Sequence, residues 1–233
     1  MGIDTLYVCK EQTYMTTFPN SPKLLKGGIV LIKPGTGAVL RIIGLQYNPD
    51  SLTRSLQVKS VGQGEGERSE ALRLKGPPVE IIKLEAEVDA ADQLEFPDQN
   101  RNVVESGLHS QLAALETIVY PASRQLQANS QLADAGNLEI VPMEAPLPLF
   151  VWGKNRILPV RLTEFSISEE AFDPSLNPIR ARISLSMRVL SVDDLGFRHR
   201  GGSLFMAYLR NKELLAGRYQ DGGLTTFGIE GIS

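Results

Sequence analysis

The stretch Arg180–Val189, R-A-R-I-S-L-S-M-R-V, alternates polar and apolar residues without a break. Arginine and serine occupy the even positions, while alanine, isoleucine, leucine, methionine and valine occupy the odd ones. Successive side chains of a β-strand point to opposite faces, so this pattern predicts a half-buried antiparallel strand. No set of nucleophile, base or metal ligand stands among these residues. The stretch therefore favours a protein built to hold a shape over an enzyme.

The preceding segments extend the β pattern and add a bend. Residues 146–153 read P-L-P-L-F-V-W-G, and residues 156–168 read R-I-L-P-V-R-L-T-E-F-S-I-S. In the second segment the apolar residues occupy even positions up to Leu162 and odd positions from Phe165, which indicates a bulge near Thr163-Glu164. A bend of this kind lets one strand take part in two sheets or curl a barrel.

The N-terminal half contains three further strand patterns. Gly28–Lys33 and Val39–Tyr47 are β-rich, and the P-G-T-G between them predicts a hairpin. Leu52–Val58 follows the chain breaker Asn48-Pro49-Asp50, and we expect it to lie beside the hairpin as a third neighbouring antiparallel strand. Gly62–Gly76 is glycine-rich and charged, which favours a solvated loop.

A second clean alternation follows Pro77-Pro78, in V-E-I-I-K-L-E-A-E-V-D-A at 79–90. Its apolar residues are Ile82, Leu84, Ala86 and Val88, and its charged residues are Lys83, Glu85, Glu87 and Asp89. One face of this strand should be packed and the other wet.

The remaining stretches favour helices instead of strands. The main one is marked by Leu108, Leu112, Leu115 and Val119, with Ser106 as its expected cap and Pro121 as its end. Residues 122–137 predict a weaker helix or a surface excursion. Near the C-terminus, Ser203 is expected to cap a short helix that Gly217 ends.

Composition limits the classes of function. The chain has 233 residues, a net charge of −3 and a single cysteine, Cys9. An internal disulfide is therefore impossible, which fits a reducing, cytosolic compartment. The dispersed Lys and Arg residues disfavour nucleic-acid binding. The sequence shows no signal-peptide pattern and no run of about eighteen apolar residues of the kind that spans a membrane.

Residue sets that could carry chemistry are scarce. His109 and His199 have no convincing partner, and a helix boundary and a solvated basic turn explain them. The glycines of G-Q-G-E-G-E lack the spacing of a phosphate loop and stand beside glutamates that would repel an anion. The acidic residues from Asp89 to Asp98 lack the glycine and the bidentate spacing of a cation loop. The sequence predicts no catalytic residue, no cofactor and no metal ligand.

The order of these segments resembles a known family. In chain order they are Gln46-Tyr47-Asn48-Pro49-Asp50, a Pro-Pro strand ending at Asp89, a central helix, P-L-F-V-W-G at 148–153, and N-P-I-R-A-R-I-S-L-S-M at 177–187. Together they are similar to the tube and baseplate-hub adaptor proteins of contractile injection systems, which are phage-tail-like particles. The resemblance covers about residues 24–194 and depends on the order and spacing of short motifs.

The resemblance implies a mainly β (α+β) fold: a tail-tube-like barrel or sandwich of two antiparallel sheets with one flanking helix, plus a short C-terminal helix. It divides the chain into an N-terminal arm at 1–22, a β domain at 23–195, and a C-terminal helix and flexible tail at 196–233. Longer members of the family carry a LysM module after the β domain, where this sequence has Ser203–Ser233 instead.

The implied function is structural. Six copies would form a ring that connects the central spike and baseplate hub to the inner tube and templates tube assembly. The implied partners are further copies of the chain, the spike protein, the inner tube protein and other baseplate components. Assembly would take place in the cytoplasm, without membrane insertion, nucleic acid or enzymatic activity. The sequence leaves open whether the ring is a tube initiator, a hub adaptor or the tube itself.

The residues expected at partner contacts are Tyr47, Asn48, Pro49, Trp152, Phe172, Arg180, Arg182, Phe205 and Tyr208, together with the loop Gly62–Gly76. Core packing is the other interpretation of Trp152. The strands that contain Arg180 and Asp89 have polar faces of opposite charge bias, which either meet across a subunit seam or line a channel.

Two other classes of function compete with this one. A β-sandwich module that binds carbohydrate or cell-wall polymer would need a row of exposed aromatic residues, and aromatics make up only 6% of the chain. A hydrolase attached to the same particle would need a convergent acid or nucleophile set.

Overall fold

The computed structural model describes residues 25–60, 73–134, 145–220 and 222–232. Its strands are β1 Gly28–Ile32, β2 Val39–Gly44, β3 Leu52–Gln57, β4 Val79–Asp89, β5 Leu147–Val151, β6 Ile157–Phe172 and β7 Pro178–Val189. Its helices are α1 Ala91–Leu94, α2 Arg101–Ser106, α3 His109–Glu116, α4 Ser123–Asp134, α5 Val192–Leu195 and α6 Arg200–Ala216, followed by a 3-10 turn at Leu224–Phe227. The expected arm at 1–22 and most of the expected loop at 62–76 lie outside the described residues.

The strands form one antiparallel order, β2-β1-β5-β6-β7-β4-β3, in two halves. The long strand β6 belongs to both halves: Ile157–Pro159 pair with β5, and the residues from Val160 onward pair with β7. The register of β6 slips between Leu162 and Glu164, where the sequence predicted a bulge. This register shift confirms the predicted bulge, and β6 changes partner just before it, between Pro159 and Val160.

The sheet curls so that strands distant in the order come close together. Leu45 follows β2 and donates its N–H to Gly27 O at 2.8 Å, beside β1. The next residue, Gln46, donates from Nε2 to Asp89 O at 2.7 Å and accepts from Asp89 N–H at 2.9 Å, at the end of β4. In a flat sheet β1 and β4 would lie four strand spacings, about 19 Å, apart. Consecutive residues are only about 3.8 Å apart, so the sheet must fold toward a barrel or sandwich.

The core occupies the inner face of this curl, as the alternation predicted. On β7, Ala181, Ile183, Leu185, Met187 and Val189 are all buried, while the arginines at 180 and 182 and Ser184 are exposed. On β4 the apolar series from Ile82 to Ala86 is buried and the residues between are exposed. The chain is a mainly β, α+β fold, which confirms the predicted class.

The predicted neighbourhood of β3 is wrong. The hairpin of β1 and β2 forms as expected, but β3 pairs with β4 at the opposite edge of the order. The reason is the segment 45–51, whose Gln46 side chain is held on β4 and whose Asn48-Pro49 breaks the strand. This segment carries the chain from one edge of the sheet to the other.

The predicted main helix is accompanied by two short helices, α1 and α2, which the sequence analysis did not predict. The predicted main helix is α3, which begins at His109 and not directly after Ser106, because Gly107 has a φ of +54°, outside the range of an α-helix. A Cβ at Gly107 would lie 2.4 Å from Pro178 O, and Leu108 N–H donates to the same oxygen at 2.8 Å. The expected cap, Ser106, ends the preceding helix α2, and its hydroxyl donates to Asn102 O.

The burial of these helices follows the predicted period in part. Leu108, Leu112 and Leu115 are buried, whereas Val119 lies beyond α3 and is 47% exposed. The predicted weaker helix is α4, none of whose described residues is buried.

The C-terminal helix α6 begins earlier than predicted. Its cap is His199, whose Nδ1 accepts the Gly201 N–H at 3.0 Å, and Ser203 lies within the first turns. Gly201 and Gly202 are buried, and a Cβ at Gly202 would lie 2.0 Å from Gly196 O. The two glycines therefore let the start of α6 pack closely on the preceding turn. The helix ends at Gly217, as predicted.

The two facing glycines of the first hairpin give a matched test of close backbone packing between β1 and β2. Gly28 and Gly44 face each other in the β1–β2 register. A Cβ at Gly28 would meet Ile43 O at 2.4 Å, whereas a Cβ at Gly44 would meet nothing within 4 Å. We expect Gly28→Ala to lower the free energy of unfolding by about 1–3 kcal/mol because the backbones must separate. Gly44→Ala should leave it within about 1 kcal/mol. Urea unfolding measures both, and equal losses would contradict this account.

Candidate assembly surfaces

The outer face of the second half of the sheet is polar across four strands. Its exposed residues include Thr53 and Ser55 on β3, Lys83, Glu85 and Glu87 on β4, Arg180, Arg182 and Ser184 on β7, and Glu164, Ser166 and Ser168 on β6. We call this set the outer polar face. The apolar residues of the same strands point into the core. Since the residues of the outer polar face are exposed, no other described part of the chain covers them.

Most charges of the outer polar face form ion pairs within one chain. β4 and β7 are direct neighbours, and Asp89 pairs in register with Arg180. The Arg180 guanidinium lies 2.7 Å from an Asp89 carboxylate oxygen. Arg182 lies 3.4 Å from Glu170, and Lys83 lies 3.6 Å from Glu164. The oppositely charged strand faces thus lie side by side, and the pairs between them are internal.

Asp89 is the most anchored of these carboxylates. Burial by itself raises the pKa of Asp89, but a hydrogen bond from Ala91 N–H and the charge and hydrogen bond of Arg180 outweigh it and hold the pKa below its ordinary value. The same hydrogen bond raises the pKa of Arg180. The pair therefore fixes the end of β4 to β7 while both groups are charged.

Both edge strands expose apolar side chains. On β2, Val39, Leu40 and Ile42 are 57%, 55% and 70% exposed. On the β3 side, Leu56 and Val58 are 48% and 68% exposed. In the described part of the chain each of these strands pairs with one neighbour only. Exposed apolar residues on an edge strand are typical of a surface that another chain covers.

The predicted contact residues Tyr47, Asn48 and Pro49 lie on the segment between these edges. Asn48 accepts the Gly27 N–H at 2.9 Å and donates to Leu25 O at 2.8 Å, so it fixes the chain that enters β1. Tyr47 is 46% exposed, and burial together with the nearby Asp92 and Asp89 carboxylates raises its pKa. An interface role for this segment stays a prediction.

The predicted aromatic contacts lie apart from each other. Trp152 is half-buried and stacks on Phe150 with ring centroids 5.9 Å apart, and a Cβ on Gly27 would meet its ring at 2.3 Å. Core packing therefore accounts for part of its surface. Phe172 ends β6 and is 48% exposed, close to the turn that leads into β7.

Phe205 and Tyr208 are buried, each 6% exposed, where α6 packs on the sheet. Their contacts in the chain are internal, and an interface role for them stays a prediction. The Tyr208 hydroxyl accepts from Arg54 Nη2 at 2.9 Å and lies 3.4 Å from Glu80 Oε1. Lys212, one turn further along α6, lies 4.3 Å from the Tyr208 ring centroid.

Glu80 is the centre of a charged cluster that we did not predict from the sequence. It is 4% exposed and accepts from Arg54 at 2.6 Å and 2.8 Å and from Lys212 at 3.3 Å. Arg54 breaks the apolar parity of β3, and Glu80 occupies the core-facing parity of β4. Two opposite charges on the core-facing side of neighbouring strands were the available signal for a buried pair.

The electrostatics of this cluster favour the charged state of Arg54. Burial by itself lowers the pKa of Arg54, but the hydrogen bond and charge of Glu80 outweigh it and raise the pKa. Glu80 therefore joins the edge strand β3 and the helix α6 to β4 through two cationic partners.

Other kinds of site find little support in the described ranges. Among those residues, no group of three or more His, Cys, Asp or Glu side chains could hold a metal ion. None of the described helices combines the length and apolar character needed to cross a bilayer. A cavity of about 710 Å³ lies between β2, the inner face of β4 and β7, and the helices α1 to α3.

Comparisons with known proteins add one structural likeness. No known family matches the sequence, and no curated protein matches it. Among solved structures, the chain is similar to one from the tail of an empty GTA particle, computed with helical refinement in C6 symmetry. The match has 13% identity and a TM-score of 0.28, and covers 70% of this chain and 90% of that chain. At this TM-score the likeness does not establish a shared fold.

Removing the Glu80 carboxylate should destabilise the protein. Glu80→Ala leaves Arg54 and Lys212 without their anion, and we expect the free energy of unfolding to fall by about 2 kcal/mol, less than for fully buried pairs because both cations are partly exposed. Lys83→Ala, which removes the exposed pair with Glu164, should change it by less than about 0.5 kcal/mol. Chemical unfolding measures both, and a loss at Glu80 no larger than at Lys83 would contradict the anchoring role.

Asp89 should contribute to acid sensitivity. Its folded pKa lies below the ordinary value of 3.8, so its stabilisation is present above that value and is lost as the pH falls through the folded pKa. We expect the wild-type protein to lose more stability between about pH 5 and pH 2 than Asp89→Asn does. Asp50→Asn, at an exposed loop carboxylate, is the control. Urea titrations at several pH values test this, and parallel curves for wild type and Asp89→Asn would oppose it.

Proposed function

We propose that this protein is a non-enzymatic structural subunit of a contractile, phage-tail-like injection system. In this proposal six copies form a ring that connects the spike and baseplate hub to the inner tube. The observations that carry it are the outer polar face and the exposed apolar side chains of the two edge strands, β2 and β3. The order of motifs from Gln46-Tyr47-Asn48-Pro49 to the β7 stretch supports the same class of protein.

The outer polar face suits the wall of an aqueous channel. Most of its charges are paired within the chain, as in Arg180–Asp89 and Arg182–Glu170. A water-filled lumen keeps such groups hydrated, whereas a subunit seam would have to desolvate them. Of the two arrangements left open by the sequence, the internal pairing favours the channel.

The edge strands suit contacts between copies. β2 and β3 are different surfaces of one chain, so joining them makes a heterologous contact, and such contacts close into a ring when the rotation is right. The exposed Leu40 on β2 and Leu56 on β3 supply apolar area on the two edge strands. A finished ring then offers a repeating surface on which the next layer of the tube assembles in register.

Ring formation can be tested with one matched pair of variants. Leu40 on the edge strand β2 and Leu126 on α4 are both 55% exposed. We expect light scattering to show a hexamer, either for the chain alone or after mixing with the spike and tube proteins. Leu40→Lys should shift this species to monomer because a charge must be buried at the seam, while Leu126→Lys should leave it intact.

Two outcomes would overturn the proposal. One is a monomer whose mass does not change with either the spike or the tube protein, which would favour a binding module. The other is a ring that tolerates Leu40→Lys as well as it tolerates Leu126→Lys.

A further inference from the structure

The cavity under β2 is a groove with an apolar floor over the core. Its volume is about 710 Å³, and its floor includes Leu45, Ala86 and Leu115, all of which are buried. Arg41 crosses one side of it and donates to Ala114 O on α3 at 3.1 Å, which joins the edge strand to the helices. A space of this size can enclose a few large side chains but not a folded domain.

The rim of the groove is cationic. Lys26, Arg41 and Arg101 line it, against the single carboxylate of Asp98. Its other polar lining consists of uncharged amides and hydroxyls such as those of Gln93 and Ser110. An occupant should therefore combine apolar side chains with negative charge.

The segment after α6 has this composition. Within Leu224–Ile232, Phe227 is 76% exposed, Ile229 is 42% exposed and Ile232 is 85% exposed. Glu230 is the one charged residue of the segment. These apolar side chains do not lie in the groove of their own chain, whose lining is made by other residues.

We infer that Leu224–Ile232 of one copy docks into the groove under β2 of a neighbouring copy. Phe227 and Ile229 supply the apolar anchors, and Glu230 lies toward the cationic rim. The inference deepens the proposed function, since it needs copies that meet, and it names a contact separate from the exposed side chain of Leu40.

Crosslinking between two differently marked chains tests this docking. Both full-length chains carry Cys9→Ser, one with Ser110→Cys on the groove rim and the other with Ile229→Cys in the tail segment. A short bismaleimide should join them into a heterodimer, seen by mass. The control pairs Ile229→Cys with Ser175→Cys, an exposed position in the turn between β6 and β7. We expect the groove pair to crosslink and the control pair to remain at background.

Second substitutions separate docking from chance collision. Phe227→Ala in the tail partner should lower the crosslinked fraction by about tenfold at limiting concentration, because a large apolar anchor is lost. Tyr219→Ala, at a residue 76% exposed but outside the segment, should leave it unchanged. Glu230→Lys should lower it as well, since it places a positive charge at a cationic rim.

Three results would overturn the inference. The first is equal crosslinking of the groove and control pairs. The second is insensitivity to Phe227→Ala. The third is an intramolecular crosslink in a Ser110→Cys, Ile229→Cys double variant that stays monomeric. A hexamer in light scattering without the groove crosslink would reject the docking and leave the proposed ring standing, whereas a monomer under all conditions would reject both.

Discussion

The fold depends on one two-residue junction, Leu45-Gln46. The backbone of Leu45 continues the pairing of the first hairpin, and the amide of Gln46 makes two hydrogen bonds to the backbone of Asp89, at the far side of the strand order. Adjacent residues that bind strands so far apart in the order require a curled sheet. This closure gives the sheet an inner face for the core and an outer face that stays wet, and it carries the chain to the opposite edge, where β3 begins.

A second constraint is electrostatic and lies at the other end of β4. Glu80 is almost fully buried, and Arg54 and Lys212 approach it from the edge strand and from α6. Buried ion pairs contribute little net stability compared with a well-packed apolar core, but they penalise arrangements that leave one charge alone. The cluster thus specifies where β3 and α6 lie more than it strengthens the fold. The outer polar face serves a different purpose, because its pairs are solvated.

Alternation and turn chemistry made much of this predictable from sequence. The faces of β4 and β7, the first hairpin and the bulge at Thr163-Glu164 follow from side-chain period and local geometry, which are properties of neighbouring residues. The position of β3 and the break at Gly107 depend on contacts far apart in sequence, with Asp89 and Pro178 as the deciding neighbours. The cap of α6 is a local contact between His199 and Gly201, but the sequence analysis assigned the cap to Ser203. For the candidate contact residues, the sequence shows which side chains are apolar or aromatic but not which of them are buried. Phe205 and Tyr208 could therefore not be distinguished from aromatic residues on the surface.

The number of strands has a consequence for polarity. The seven strands of the described residues have antiparallel neighbours and alternate in direction, and the odd count leaves the two edge strands, β2 and β3, running the same way. Copies placed side by side by rotation about a common axis would therefore meet as parallel strands, whereas a twofold pairing of β2 with itself would be antiparallel and would stop at two. A ring joined through β2 and β3 would therefore have all its edge strands running the same way, and its upper and lower rims would be chemically different from each other.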